Sequence, residues 1–318
     1  MKHSIKITLI LLLMFFLAQL IGLFITSQYS PQVKQITDSA GNLVNITSYN
    51  LPYGMDPPPD IKQKSAASMV FSFILAFSFA IIIMFILMKY NAETLFRVWF
   101  FFVVALAIGI TLNAPFSGKP FASLIALLIS LPLSYIKIFK RNIIVHNLTE
   151  LLIYPGIGAI FIALIFSWTT HPLTAIIMLL IIISIYDIYA VWHSGIMQKM
   201  AKYQINKLRI FSGFFVPYLG KKEREIISKL SKSKTQKLKG KKVKVSIAIL
   251  GGGDVVFPII LAGIVFRQLG ILPALIISIG ATLALAVLFF FSKKGKFYPA
   301  MPFITAGCFI ALALANLI

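Results

Sequence analysis

Long apolar segments alternate with short polar ones along the whole chain. A hydrocarbon core about 30 Å thick is crossed by roughly 20 helical residues, and nine segments of this chain are long and apolar enough to cross it. They are Ile5–Ile25, Ala66–Met88, Leu95–Leu112, Phe121–Ile138, Leu151–Trp168, Pro172–Trp192, Val245–Phe266, Ile271–Phe291 and Tyr298–Ile318. The pattern predicts an all-α polytopic membrane protein with nine transmembrane helices in a single membrane domain, residues 1–318.

The basic residues between these segments predict how the chain is oriented. Lys and Arg in short loops are retained in the cytoplasm, and they concentrate in alternate loops, beginning with the N-terminal residues. The N-terminus is therefore expected in the cytoplasm and the C-terminus outside. A cleaved signal peptide is the alternative for the first segment, but its apolar run exceeds the usual length of about 7 to 15 residues and favours a retained anchor.

Composition agrees with a membrane protein, since 59% of the residues are hydrophobic and 12% are charged. The formal net charge of +21 would suggest nucleic acid as the partner of a soluble chain. Here the basic residues follow the loops instead, so no nucleic-acid partner is expected. The largest group is the basic loop, residues 193–244, which is expected to be a solvated cytoplasmic loop; binding of anionic lipid heads is the alternative.

The acidic residues single out two positions. Of the nine Asp and Glu residues, seven are expected in loops or at membrane edges, and only Asp187 and Asp254 lie inside apolar segments. The seven are Asp38, Asp56, Asp60, Glu93, Glu150, Glu223 and Glu225. A carboxylate near the bilayer centre costs about 2.5 to 3.5 kcal/mol, so a functional role is the default hypothesis for the remaining two.

Asp187 and Asp254 belong to neighbouring segments, the sixth and the seventh, which the basic loop joins. At 1.5 Å per residue both lie roughly 8 to 14 Å from the inner surface, so they can face each other. Two close carboxylates in a low dielectric are expected to share one proton. This is the working state of an aspartic protease, in which the ionised acid activates water and the protonated acid polarises the scissile carbonyl.

Unusual residues surround these two acids. Gly251, Gly252 and Gly253 directly precede Asp254, and missing side chains allow another backbone to approach closely; helix packing is the alternative use of such glycines. The last segment opens with Pro299-Ala300-Met301-Pro302, whose prolines disturb a regular helix, although a proline in the first helical turn is ordinary. Tyr186 precedes Asp187 and serves either the site or packing.

Together these motifs resemble a known family. Tyr186-Asp187, Gly251-Gly252-Gly253-Asp254 and Pro299-Ala300-Met301-Pro302 are similar to the YD, GxGD and PALP signatures of presenilins and signal peptide peptidases. Met301 stands where the family has Leu, a swap that conserves volume. The motifs cover residues 169–318, the predicted catalytic helices, whereas residues 1–168, the predicted scaffold helices, carry no motif.

The resemblance implies hydrolysis of peptide bonds within transmembrane segments of other proteins, with no metal or organic cofactor. It implies that Asp187 and Asp254 are catalytic and that the Pro299–Pro302 motif shapes the site. The predicted orientation is similar to that of presenilin and opposite to that of signal peptide peptidase. The short chain resembles the archaeal presenilin homologues, which implies a multi-pass protein of an archaeal cell membrane. No obligate accessory subunit is evident from the sequence.

Two other classes of protein remain as alternatives. A proton- or cation-coupled transporter also uses paired intramembrane acids and broken helices, but the first five segments contain no corresponding acid. A prepilin-type GxGD peptidase has fewer spans and lacks the proline-alanine motif. Both alternatives fit the sequence less well than the presenilin-like protease.

A short alternating segment precedes the seventh span. Lys242-Val243-Lys244-Val245 has the β-branched alternation of a strand, and a strand there could pair with an unwound substrate and expose its amide bonds. A plain lead-in to the helix is the alternative.

Overall fold

In this computed structural model, the described residues are 5–37, 43–58, 63–90, 92–140, 142–194, 212–218, 246–292 and 298–317. Within these ranges the chain forms nine long helices and two small antiparallel sheets. The helices are α1 Ile5–Gln28, α2 Ala66–Lys89, α3 Glu93–Asn113, α4 Ala122–Tyr135, α5 Ile143–Trp168, α6 Pro172–Tyr189, α7 Gly252–Leu269, α8 Ile271–Phe291 and α9 Met301–Ala315. The strands are β1 Gln32–Thr37, β2 Leu43–Ser48, β3 Gly213–Tyr218 and β4 Ser246–Gly251.

The predicted fold class is confirmed. Eight of the described helices are long and apolar enough to cross a membrane, and the shorter apolar helix α9 is the ninth. Two helices end in a π-helical turn, α4 at Ile136–Lys140 and α6 at Ala190–Ser194. The orientation of the termini and the division into residues 1–168 and 169–318 stay predictions.

The seventh and ninth segments begin differently from the prediction. Val245–Phe266 was expected to be one helix, but residues Ser246–Gly251 form β4 and the helix begins at Gly252. Glycine weakens a helix, and the backbone of Ser246–Gly251 pairs with β3 instead. The ninth helix begins at Met301 rather than at Tyr298, because Pro299 disfavours a helical backbone at the residue before it, Tyr298.

The fifth segment also differs from the prediction. It was expected to begin at Leu151, which placed Glu150 at a membrane edge, but α5 begins at Ile143. The Asn142 side chain caps this helix by accepting from the backbone N–H groups of Ile144 and Val145. Glu150 is therefore inside a helix and buried, with 1% of its surface exposed.

Helix α7 lies at the centre of the bundle and α2 at its periphery. The apolar part of α7 is mostly buried against α1, α5 and α8, whereas almost all of α2 is exposed. Bulky side chains such as Phe71 and Leu75 cover the surface of α2. Exposed apolar residues are expected where a helix faces lipid, since lipid tails are as apolar as leucine.

A polar cluster closes the end of the bundle that carries the β1–β2 hairpin. The Tyr29 hydroxyl donates to the Ile110 carbonyl at 2.7 Å and accepts from the Asn113 side chain at 3.1 Å. Burial raises the pKa of Tyr29 to about 12, so this hydroxyl keeps its proton. Arg267 at the end of α7 donates to the Tyr29 carbonyl at 2.6 Å and lies over the Tyr49 ring. These contacts join α1, α3 and α7.

The β3–β4 sheet lies at the opposite end and leads directly into α7. Its strands are antiparallel, with Phe214 opposite Leu250 and Phe215 opposite Ile249. Phe214 and Leu250 are buried in the main core. The sheet thus fixes the start of α7, the part of the chain that carries Asp254.

Candidate active site

Asp187 lies in the last turn of α6, and its carboxylate is bound by the first residues of another helix. The Met301 backbone N–H donates to Oδ2 of Asp187 at 3.1 Å, and the Ala300 backbone N–H lies near the same carboxylate. Asp187 is buried, with 8% of its surface exposed. The first N–H groups of a helix have no partner within it and favour negative charge. The N-terminus of α9 therefore acts as an anion site for Asp187.

Asp254 lies in the first turn of its own helix. It is the third residue of α7, whose N-cap is Gly251, and the Asp254 carboxylate lies close to the Gly251 backbone. This is the position of the acidic residue in a capping box, in which an acidic side chain three residues after the cap accepts from the N–H of the cap. Asp254 is partly buried, and it lies where the helix dipole favours a negative charge.

The structure brings the two acids together. Helix α6 packs against both α7 and α9, and Asp187 lies close enough to Asp254 for their carboxyl groups to interact electrostatically. Each acid thus lies near the N-terminus of a helix and within electrostatic range of the other acid. The arrangement can hold one proton between two carboxyl groups and present both to a bound amide.

The three glycines before Asp254 have different surroundings. A Cβ atom on Gly251 would lie 3.1 Å from Oδ2 of Asp254, and one on Gly252 would lie 2.8 Å from the Tyr154 ring and 2.7 Å from the Ser212 hydroxyl. A Cβ atom on Gly253 would meet only Phe257, at 3.9 Å, and Gly253 is exposed. Gly251 therefore leaves room for the carboxylate, Gly252 for Tyr154, and Gly253 borders open space beside Asp254.

The predicted motif Pro299-Ala300-Met301-Pro302 lies at the Asp187 carboxylate. Ala300 is the N-cap of α9, and Pro302 occupies its first turn, where a missing N–H costs no helical hydrogen bond. Pro299 and Met301 are buried. The two prolines flank Ala300 and Met301, the residues whose N–H groups lie near the Asp187 carboxylate.

A second contact between α6 and α9 lies one turn away from Asp187. The Ser184 hydroxyl donates to the Thr305 hydroxyl at 2.9 Å, and both residues are buried. Thr305 is four residues after Met301 and Ser184 is three residues before Asp187, so each hydroxyl is about one helical turn from the contact between Met301 and Asp187. The hydroxyl pair was not predicted; its signal is a pair of small polar residues within one turn of the two motifs.

Tyr186 lies beside Asp187 but packs towards α2. Its ring meets the Phe77 ring edge-on, with 6.1 Å between the ring centres. It is 40% exposed. This contact favours packing as the main role of Tyr186.

Among the described residues, no group of three or more His, Cys, Asp or Glu side chains is arranged to hold a metal ion. The two acids of the site have no such third partner in that part of the chain. The absence of a metal or organic cofactor stays a prediction.

The comparisons with known proteins agree on one family. Residues 54–318 match the family model described as signal-peptide peptidase, presenilin aspartyl protease. The fold is similar to a solved structure of a presenilin family intramembrane aspartate protease in the C222 space group, with a TM-score of 0.57, 16% identity and 98% of each chain covered. A second structure of a presenilin family intramembrane aspartate protease, in the P2 space group, has a TM-score of 0.55 and 17% identity, with 96% of each chain covered. A search of curated protein sequences gives no significant match.

Proposed function

Because the chain belongs to the family of signal-peptide peptidases and presenilin aspartyl proteases, we propose that Asp187 and Asp254 are its catalytic pair. The protein is an intramembrane aspartyl protease of this type and an integral, multi-pass membrane protein. The observation that supports the proposal is that the two carboxyl groups lie within electrostatic range of each other, each near the N-terminus of a helix. The family match gives no support to a transporter.

In the proposed reaction a water molecule lies between the pair and the scissile amide. The ionised carboxylate takes a proton from this water, which attacks the carbonyl carbon, while the protonated carboxyl donates its proton to the carbonyl oxygen. When the resulting gem-diol collapses, the C–N bond breaks, the acid that received the water's proton gives it to the leaving amine, and the other acid, now ionised, takes a proton from one of the two hydroxyl groups as the new carboxyl group forms. The pair returns to its starting state with one proton.

We propose that the substrate is a transmembrane segment that unwinds beside β4. The Asn147 side chain bonds to both the N–H and the C=O of Phe215, so these groups point away from β4. In an antiparallel pair, two directly opposite residues either both point their N–H and C=O groups at each other or both point them away from the partner strand. Ile249 is opposite Phe215, so the N–H and C=O of Ile249 point away from β3. No strand among the described residues lies along that edge, which ends at Gly251 beside Asp254.

A substrate strand on this edge would bring its backbone to the catalytic pair with its amide bonds accessible. The predicted strand Lys242–Val245 lies outside the described residues; the described strand begins directly after it, at Ser246. Four further points stay proposals. They are the cytoplasmic orientation of this end, the binding of anionic lipids by the basic loop, activity without an accessory subunit, and location in an archaeal membrane. Most of the basic loop lies outside the described residues.

The test uses purified protein and a substrate with a single transmembrane segment. Asp187→Asn and Asp254→Asn keep the size of each side chain but cannot act as acid or base, so each is expected to lower cleavage by at least about 1,000-fold. Glu93→Gln is the matched control, because Glu93 makes only a loose pair with Arg97 at 4.0 Å and is partly exposed. Full cleavage by either Asp variant would refute the proposed pair.

A further inference from the structure

A buried ion pair lies apart from the two aspartates, between α4 and α5. Nζ of Lys137, in the π-helical turn that ends α4, is hydrogen-bonded to Oε1 of Glu150. Their side chains are only 2% and 1% exposed. A buried ion pair adds little net stability compared with apolar residues of the same size. A role in orienting neighbouring groups is therefore a better explanation for this pair than stability.

The same face of α5 binds the backbone of β3. Lys137 also contacts Nδ1 of His146 at 3.3 Å; because an ammonium group can only donate, Nδ1 accepts and the ring proton is on Nε2. Nε2 lies 2.8 Å from the Gly213 carbonyl and can donate to it. The ion pair thus selects the histidine tautomer that holds the first residue of β3.

Asn147 holds the next part of the strand. Its amide donates to the Phe215 carbonyl at 2.7 Å and accepts from the Phe215 N–H at 2.9 Å. It therefore occupies the outer edge of β3 as a neighbouring strand would. The bonds from His146 and Asn147 leave the inner edge of β3 to pair with β4.

Tyr154 extends the contact from α5 to the start of α7. It is one turn after Glu150 on the same face of the helix, and it is buried, with 1% of its surface exposed. Its ring meets Phe214 of β3 edge-on, and its hydroxyl and Cε1 atoms lie against Gly252, two residues before Asp254. The face of α5 is thus in contact with both β3 and the first residue of α7.

We propose that this cluster, Lys137, His146, Asn147, Glu150 and Tyr154, positions the β3–β4 sheet against the catalytic pair and so determines which substrate bond is cut. The proposal rests on the proposed function, since it requires substrate to pair with β4. If the sheet is held rigidly, one register of the substrate strand brings one amide bond to Asp254. A loosened sheet would let neighbouring registers reach the pair.

The test changes one atom of the cluster. Asn147→Asp keeps the acceptor for the Phe215 N–H but places a carboxylate oxygen against the Phe215 carbonyl. We expect kcat to fall about tenfold, KM to change less than about twofold, and mass spectrometry of the products to show cleavage spread over neighbouring bonds. Asn142→Asp is the matched control on the same helix, because Asn142 acts only as an acceptor at the cap, a role that Asp fills equally well.

Hydrogen exchange of the two variants provides a measure that does not need activity. In Asn147→Asp, and not in Asn142→Asp, amides of residues 213–218 and 246–253 are expected to exchange at least about tenfold faster. Unchanged exchange and an unchanged set of products in Asn147→Asp would overturn the positioning role. A different outcome is faster exchange in Asn147→Asp together with full cleavage by Asp187→Asn or Asp254→Asn. That outcome would support the anchoring of the sheet but refute the proposed catalytic pair.

Discussion

The two aspartates receive the same kind of support from different parts of the chain. The Asp254 carboxylate lies against the backbone of Gly251, three residues before it, so the contact forms within a single turn of the chain. Asp187 accepts from Met301, at a separation of 114 residues, so its contact requires α6 and α9 to be packed together. One half of the site is encoded locally, and the other depends on the assembled bundle.

This difference determines which changes affect which acid. Changes in the glycine segment act on Asp254 directly, through space that a methyl group would fill. Changes between α6 and α9 act on Asp187 by altering how two helices meet. The predictions below separate the two effects.

The largest effect on stability is expected from the glycine segment. In Gly252→Ala the new methyl group would lie within 2.9 Å of the Tyr154 ring and hydroxyl, and Tyr154 is 1% exposed and cannot move aside. Overpacking of this kind costs about 1 to 3 kcal/mol. The midpoint of thermal unfolding of the purified protein should therefore fall.

Gly253→Ala is the matched control, because its methyl group would have only one neighbour, at 3.9 Å. Its unfolding midpoint should be no lower than that of wild type, since alanine is the better helix former by about 1 kcal/mol. Cleavage should still fall about tenfold, because the methyl group occupies space beside Asp254 where substrate must approach. Equal loss of stability in both variants would contradict the surroundings assigned to these two glycines.

A smaller effect is expected between α6 and α9. Thr305→Val keeps the shape of the side chain but removes the hydroxyl that accepts from Ser184, a contact worth about 1 kcal/mol. We expect kcat to fall about fivefold with KM unchanged, because Asp187 loses part of its orientation. Ser278→Ala is the control, since the Ser278 hydroxyl bonds within its own helix, to Ala274; an equal loss of kcat there would remove the argument for a specific α6–α9 contact.

The smallest effect is expected at Tyr186. Tyr186→Phe removes the hydroxyl but keeps the edge-on contact with Phe77, so steady-state cleavage should stay within about twofold of wild type. Tyr186→Ala should lose more of the cleavage activity, because it removes an aromatic pair, which contributes about 0.5 to 1.5 kcal/mol beyond its buried area. A large loss in Tyr186→Phe would show that the hydroxyl takes part in the reaction after all.

The sequence was sufficient for the helices, because their length and apolar character depend on local composition. Apolar segments of the right length predicted the membrane helices, and the cost of a buried carboxylate singled out Asp187 and Asp254. The β3–β4 sheet was missed, because Gly213–Tyr218 and Ser246–Gly251 are far apart in sequence and their pairing is a tertiary contact. The burial of Glu150 was missed for a similar reason: its partner Lys137 comes from another helix.

The donors to Asp187 could not be predicted either. The Pro299–Pro302 motif indicated an irregular start of the last helix, but no pattern in the sequence says that its N–H groups point at Asp187. Residues 1–168 carry no motif, yet they supply Tyr154 to the start of α7 and Gln19, which donates to the Val255 carbonyl at 3.1 Å. The predicted scaffold is thus in direct contact with the residues around the site.

The most direct test of the catalytic pair is the affinity for a substrate peptide whose scissile amide is replaced by a hydroxyethylene group. Such a peptide mimics the tetrahedral transition state, and its hydroxyl would lie between the two carboxyl groups. Wild type should bind it at least about 100-fold more tightly than the matching amide peptide, and Asp187→Asn and Asp254→Asn should each abolish that preference. A preference that survives in either variant would contradict the account.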